Sequence, residues 1–184
     1  MAKTFPKGGV HPPENKLSAD KATQVLPLPK QVAIPVSQHI GAPTKIIVKK
    51  KDKVKVGQVI SESGGFVSAN IHSSVSGTVS KIDTIFDTSG YQRPAIIIDV
   101  EGDEWDENID KSPDLVKDVK LDADQIIKRT LDCGIVGLGG ATFPSHVKLS
   151  IPRGKSCKIL LINGVECEPY LTSDHRLMLE KGDE

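Results

Sequence analysis

The sequence predicts a mixed α and β protein, with a β-rich domain over residues 31–100 followed by the opening elements of an α/β domain over residues 121–184. Three observations carry this. From Gln31 to Val100, short runs rich in Val, Ile and Thr alternate with Gly, Asp, Asn and Ser turns, the pattern of compact β structure. Aromatic residues make up only 4% of the chain while 16 Gly and 12 Pro supply turns, which suits short strands better than a helical bundle. Beyond residue 120 the order becomes helix, glycine loop, helix, apolar run, loop and helix, an α/β arrangement.

Composition bounds the function. A length of 184 residues allows one good core or two modest ones. Lys plus Arg number 24 and Asp plus Glu number 24, so no net charge draws the chain to a polyanion and nucleic acid is not an expected partner. Cys133, Cys157 and Cys167 are odd in number and lack C-x-x-C spacing, which argues against both a disulfide framework and a self-contained metal site. All three read as small packing residues in a reducing compartment. Met1 to Val10 holds no apolar segment of signal-peptide length, and no stretch approaches the roughly 20 apolar residues of a membrane span. Any membrane role is therefore expected to come from docking onto other subunits.

Residues 1–30 read as an arm, because Pro6, Gly8, Gly9, Pro12, Pro13, Pro27 and Pro29 break every regular pattern. In the β domain the clearest strand runs are Val32 to Val36, Lys45 to Val48, Thr78 to Ile82 and Ala95 to Val100. Residues 101–120 are highly charged, with Trp105 as the one large apolar anchor, and read as a linker. Asp122 then caps a helix whose apolar positions Ile126, Ile127 and Leu131 fall at helical spacing, and Gly134 stands where that helix must stop. Lys158 to Ile162 is a continuous apolar run of the kind that forms a strand buried on both faces. Ser173 is placed to cap a last helix carrying Leu177, Met178 and Leu179.

Two stretches carry the chemistry. Gly137, Gly139 and Gly140 let a backbone approach a ligand closely, and amides at the start of the helix that follows can receive phosphate charge. Asn163-Gly164-Val165-Glu166-Cys167-Glu168-Pro169 follows the apolar run, where ligands collect in α/β sheets. Its asparagine offers an amide to a flavin ring edge, and its carboxylates accept hydrogen bonds from ribose hydroxyls or a nicotinamide amide. Read this way, the two loops face one crevice.

The β domain resembles a biotinyl or lipoyl carrier, a barrel-sandwich hybrid, on Val54-Lys55-Val56-Gly57-Gln58-Val59-Ile60 and Ile71-His72-Ser73-Ser74-Val75-Ser76-Gly77-Thr78-Val79. A carrier presents a modifiable lysine between these halves, and residues 61–70 contain none, so the swinging-arm chemistry is absent while the fold remains. His72 reads as a packed or surface histidine, not a metal ligand.

The two loops resemble the flavin- and NADH-binding subunit of respiratory complex I. Gly137, Gly139, Gly140, Ala141, Phe143, Pro144 and Lys148 match its glycine loop, and Asn163, Glu166, Glu168 and Pro169 match its acidic loop. Leu138, Thr142 and Val165 stand where that subunit has arginine, glycine and aspartate. These departures, together with Gly8-Gly9-Val10-His11-Pro12-Pro13-Glu14, resemble the RnfC family of Rnf electron-transport complexes.

That resemblance implies a redox subunit of a membrane-bound, ion-translocating ferredoxin:NAD oxidoreductase. Its cofactor-binding residues are expected to be Gly137, Gly139, Gly140, Ala141, Phe143, Lys148, Asn163, Glu166 and Glu168, with no catalytic acid or base and no metal ligand among them. FMN and NADH are the implied ligands of the complete domain, and two 4Fe-4S clusters are implied in a C-terminal part beyond this chain. The implied partners are NADH, ferredoxin through the complex, and the membrane subunits of that complex. The implied location is peripheral, on the cytoplasmic side of the bacterial inner membrane. By itself this fragment is expected to be inactive. The alternative is a non-catalytic assembly module built on the barrel-sandwich scaffold.

Overall fold

The computed structural model describes residues 12–87, 89–112, 114–138 and 140–182. They form two compact units, Pro27–Cys157 and the described residues of Met1–Leu26 with those of Lys158–Glu184. Gly8 to His11 of the arm motif and Gly139 of the glycine loop lie outside the described residues.

The larger unit begins with seven strands: β1 (Gln31–Pro35), β2 (Lys45–Ile46), β3 (Lys53–Val54), β4 (Val59–Glu62), β5 (Ile71–His72), β6 (Gly77–Phe86) and β7 (Gln92–Val100). They make two antiparallel sheets, one in the order β1-β7-β6-β3 and one in the order β2-β4-β5. The apolar sides of both supply one core of Ile34, Val36, Val54, Ile60, Ile71, Val75, Val79, Ile96 and Ile98. Each fully buried Ile contributes about 1.5–3 kcal/mol of transfer free energy. β7 runs between β1 and β6, which is why Ala95 to Ile98 are all buried and the run reads as continuously apolar. Each of the four runs expected from the sequence overlaps a strand, and the two-sheet sandwich is the fold that the carrier resemblance implies.

The β4–β5 connection is held down, not presented. Ser63 donates its amide to Asn70 Oδ1 at 2.9 Å, Gly64 to Ser68 Oγ at 3.1 Å, and Ala42 to the Val67 carbonyl at 2.8 Å. The segment that displays the modified lysine in a carrier is here tied to its own flanks.

Of the charged stretch, residues 101–109 pack back on the β domain. Val56 bridges Trp105, the Val56 amide donates to the Glu104 carbonyl and the Asp106 amide to the Val56 carbonyl, both at 2.9 Å. Helix α1 (Ala123–Asp132) opens with a capping box in which the Asp122 side chain accepts from the Gln125 amide and the Gln125 side chain from the Asp122 amide. It stops at Gly134, whose φ of +65° is left-handed. A Cβ there would lie 2.2 Å from the Asn70 carbonyl oxygen, so glycine is required both by the turn and by the approach to the β domain. Helix α2 (Ser145–Leu149) follows the glycine loop.

The smaller unit contains α3 (Ser173–Glu180). Two expectations are corrected in this unit and a third in both units. Lys158 to Ile162 is not a strand: it is irregular and exposed, Leu161 at 87%, because the described residues offer no neighbouring strand to complete its hydrogen bonds. Ser173 is the first helical residue and not the cap; Thr172 occupies the cap position and its side chain caps nothing. The three cysteines are exposed instead of packed.

Candidate functional site

The glycine loop is closed at its neck by paired backbone segments. Val136 bridges Pro144, the Ser145 amide donates to the Ile135 carbonyl at 2.9 Å, and the Gly137 amide to the Phe143 carbonyl at 3.0 Å. Phe143 therefore acts through its backbone, with its ring half-buried. Above the neck, Gly140 has φ +60° and open space around the position of a Cβ, with no heavy atom within 4 Å. Thr142, standing where the complex I subunit has glycine, holds φ +49°. A β-branched residue in that region carries on the order of 1–2 kcal/mol of strain.

Gly140 and Ala141 line an open cleft of about 640 Å³ whose other walls come from Gln38, His39, Ile85 and Phe86 of the β domain. Lys148, on α2, lays its ammonium 2.9 Å from where a Gly137 Cβ would be and has no carboxylate partner among the described residues. With five residues, α2 has little dipole of its own, and Lys148 brings a positive charge to this loop. An open glycine and a lysine unpaired among the described residues suit an anionic group.

His146 anchors this arrangement and was not signalled by the sequence pattern. It is buried, and its Nε2 donates to the Phe66 carbonyl oxygen at 2.9 Å while the Phe66 ring meets it edge-on. Nδ1, also buried, has no partner among the described residues. The contact ties α2 to the β4–β5 connection.

His72 lies half-buried in a second cavity, of about 460 Å³, shared with Asp106, Arg129, Asp132 and Cys133. Burial pushes its pKa below 6.5, partly offset by a hydrogen bond with the Asp132 backbone and the charge of Asp106. A depressed histidine is protonated earlier in the unfolded chain than in the folded one. Its contribution is therefore complete above pH 6.5 and is lost as pH falls from there through the folded pKa. The urea midpoint of the β domain is expected to drop between about pH 7.5 and about pH 5.5, and His72→Gln to flatten that dependence. An equally steep profile in the variant excludes His72 as the cause.

In the smaller unit the acidic loop divides into engaged and open groups. Asn163 turns its Oδ1 back to accept from the Val165 amide at 3.1 Å. Glu166 accepts from the Asp174 amide at 3.0 Å through Oε1, serving as the helix cap that neither Thr172 nor Ser173 provides, and its Oε2 lies 3.9 Å from Lys16 Nζ. Glu168 is exposed, and its carboxylate has no hydrogen bond or ion pair among the described residues. Thr23 and Arg176 bind Glu180 and hold its pKa down to about 2. No three His, Cys, Asp or Glu side chains among the described residues come together as a metal site, and no helix among them is long and apolar enough to cross a membrane.

Comparison with known proteins agrees with this layout. Residues 3–103 match the RnfC barrel sandwich hybrid domain, and residues 131–184 match the Nuo51 FMN-binding domain. The chain is 46% identical over its whole length to the C-subunit of the proton-translocating ferredoxin:NAD(+) oxidoreductase complex of Clostridium ljungdahlii, and covers 40% of that protein. It is 46% identical, over 96% of its length and 40% of the relative's, to the C-subunit of the Na(+)-translocating ferredoxin:NAD(+) oxidoreductase complex of Acetobacterium woodii. To the C-subunit of the ion-translocating oxidoreductase complex of Rhodobacter capsulatus it is 39% identical, over 97% of its length and 34% of the relative's. The chain thus spans well under half the length of these relatives. A barrel sandwich with no lysine between its two halves, followed by the opening of a flavin domain and matched along essentially the whole chain, shows that the protein belongs to the RnfC family.

Proposed function

We propose that the protein of which this chain is part is the NADH-oxidising electron-transfer subunit of an ion-translocating ferredoxin:NAD oxidoreductase. The observation that carries the reading is the glycine loop, where Gly140 is left-handed and open on a cleft of about 640 Å³ and Lys148, without a carboxylate partner among the described residues, stands beside Gly137. FMN, when bound, accepts hydride from NADH and passes electrons on one at a time. The chain's own part is to bind and orient: Gly137, Gly139, Gly140 and Ala141 give the flavin close backbone approach, Lys148 meets its phosphate, and Phe143 closes the loop. In the acidic loop Asn163 and Glu166 shape the backbone and Glu168 serves NADH. The 4Fe-4S clusters belong to the part beyond this chain, ferredoxin is reached through the complex, and the protein sits peripherally on the cytoplasmic side of the membrane, docked on the membrane subunits. The division into arm, barrel sandwich at 31–100, linker at 101–120 and flavin region from 121 onward follows this use.

The test is reconstitution. The full-length protein is expected to take up FMN at one per chain and to reduce a dye with NADH, whereas residues 1–184 alone bind FMN weakly or not at all. A folded, colourless full-length protein that cannot be reconstituted sinks the proposal in favour of the assembly module. Tight FMN binding by the fragment shows that the rest of the domain is not needed.

A further inference from the structure

Lys16 belongs to the N-terminal arm, yet the contacts of its ammonium among the described residues are with the acidic loop and its margin. Its Nζ donates to the Leu171 carbonyl at 2.6 Å and to the Glu168 carbonyl at 3.2 Å, and lies 3.9 Å from Glu166 Oε2. Neighbouring arm residues add to the grip: the Tyr170 amide donates to the Glu14 carbonyl at 2.8 Å, Ser18 and Thr172 share a hydroxyl hydrogen bond of 2.8 Å, and Arg176 donates to the Ala19 carbonyl at 3.2 Å. Between these ties the backbone is forced: Glu166 and Tyr170 have φ of +55° and +70°, a region that residues other than glycine occupy only when surroundings impose it. Glu166 is consumed within the structure by Asp174 and Lys16, and its side chain is only 10% exposed. Glu168 gives only its carbonyl to the clamp and keeps its carboxylate open.

We infer that Lys16 is a positioning residue, which with Glu166 locks the acidic loop so that the Glu168 carboxylate stays presented to the hydroxyl and amide donors of a nicotinamide nucleotide. This rests on the proposed function, and it gives the two carboxylates of the loop different tasks. Glu166 holds the backbone and the first turn of α3. Glu168 meets the ligand.

The test uses the full-length protein with three variants, Lys16→Met, Lys16→Arg and Glu168→Gln. Two readouts are needed: amide hydrogen exchange across residues 163–177, and the separate KM and kcat for NADH in dye reduction, with flavin content measured alongside. Lys16→Met removes the charge and every donor at similar length. It is expected to raise exchange at the Asp174 and Tyr170 amides, and to raise KM for NADH about tenfold with kcat and flavin content within about twofold. Lys16→Arg restores charge and donors and is expected to recover both readouts, while Glu168→Gln raises KM without changing exchange. Unchanged exchange in Lys16→Met overturns the clamp. Raised exchange with unchanged KM overturns the positioning role, as does a loss of kcat or flavin content that Lys16→Arg fails to rescue. A wild-type protein that does not oxidise NADH removes the proposed function and the task given to Glu168, while the exchange result still decides the clamp.

Discussion

Replacing Gly140 by Val in the full-length protein is expected to lower FMN occupancy at least about tenfold, the equivalent of roughly 1.4 kcal/mol, without unfolding the β domain. Two physical effects add. The backbone at Gly140 has φ +60°, where a β-branched side chain costs on the order of 1–2 kcal/mol and pushes the loop toward another shape. The new side chain also grows into the cleft lined by Gly140 and Ala141, into volume assigned to the flavin. Nothing within 4 Å of the Cβ position belongs to the protein core, so the melting temperature of the β domain is expected to stay within a few degrees of the parent. The measurement is flavin absorbance per chain with NADH-dependent dye reduction. Unchanged occupancy and unchanged activity place the flavin elsewhere and leave the glycine loop as a structural turn.

Gly134→Val has the opposite signature, a large loss of stability. The added Cβ meets the Asn70 carbonyl oxygen at 2.2 Å and the His72 ring at 3.2 Å, at a φ of +65°. Left-handed strain of on the order of 1–2 kcal/mol and overpacking of about 1–3 kcal/mol together predict a loss of about 2–5 kcal/mol. Against a typical total of about 5–15 kcal/mol, this is visible as a clear drop in the urea midpoint of residues 1–184. A change below about 0.5 kcal/mol shows that α1 does not end against the β domain in solution. The contrast between the two glycines is informative because both are left-handed: one faces open space and the other a carbonyl.

What the sequence revealed divides along the range of the interactions. Helix α1 was legible because the Asp122 cap, the spacing of Ile126, Ile127 and Leu131, and the Gly134 stop are local chemistry acting within a few turns. The strands were legible because the Val and Ile of Val32 to Val36 and Ala95 to Val100 form short apolar runs bounded by turn residues. Their pairing was not, since β1 meets β7 across more than sixty residues, Gln31 opposite Asp99. The run Lys158 to Ile162 misled for the same reason: apolar residues report a preference for burial, and whether a partner strand is at hand is not written in the run itself. In the site, the left-handed Gly140 follows from residue type, while Thr142 reaches a similar φ against its own preference. Lys16 escaped notice because its partner Leu171 is 155 positions away, and the cap on α3 escaped because Glu166 supplies it from eight residues upstream instead of from the cap position.

The pairing of β1 with β7 also sets how the β domain responds to tension. Gln31, where the chain comes into the sheet, lies opposite Asp99, where it goes out, and the ladder continues through Val32–Ile98 and Ala33–Ile97 to Pro35–Ala95. Once residues 101–109 have come away from Val56, tension between Gln31 and Asp99 acts at one corner and perpendicular to the strands. The cross-strand hydrogen bonds lie along that pull and open singly, from Gln31–Asp99 inward, in place of sharing the load as sheared strands do. Mechanically this pair of strands is a zipper, weak to a tug between Gln31 and Asp99.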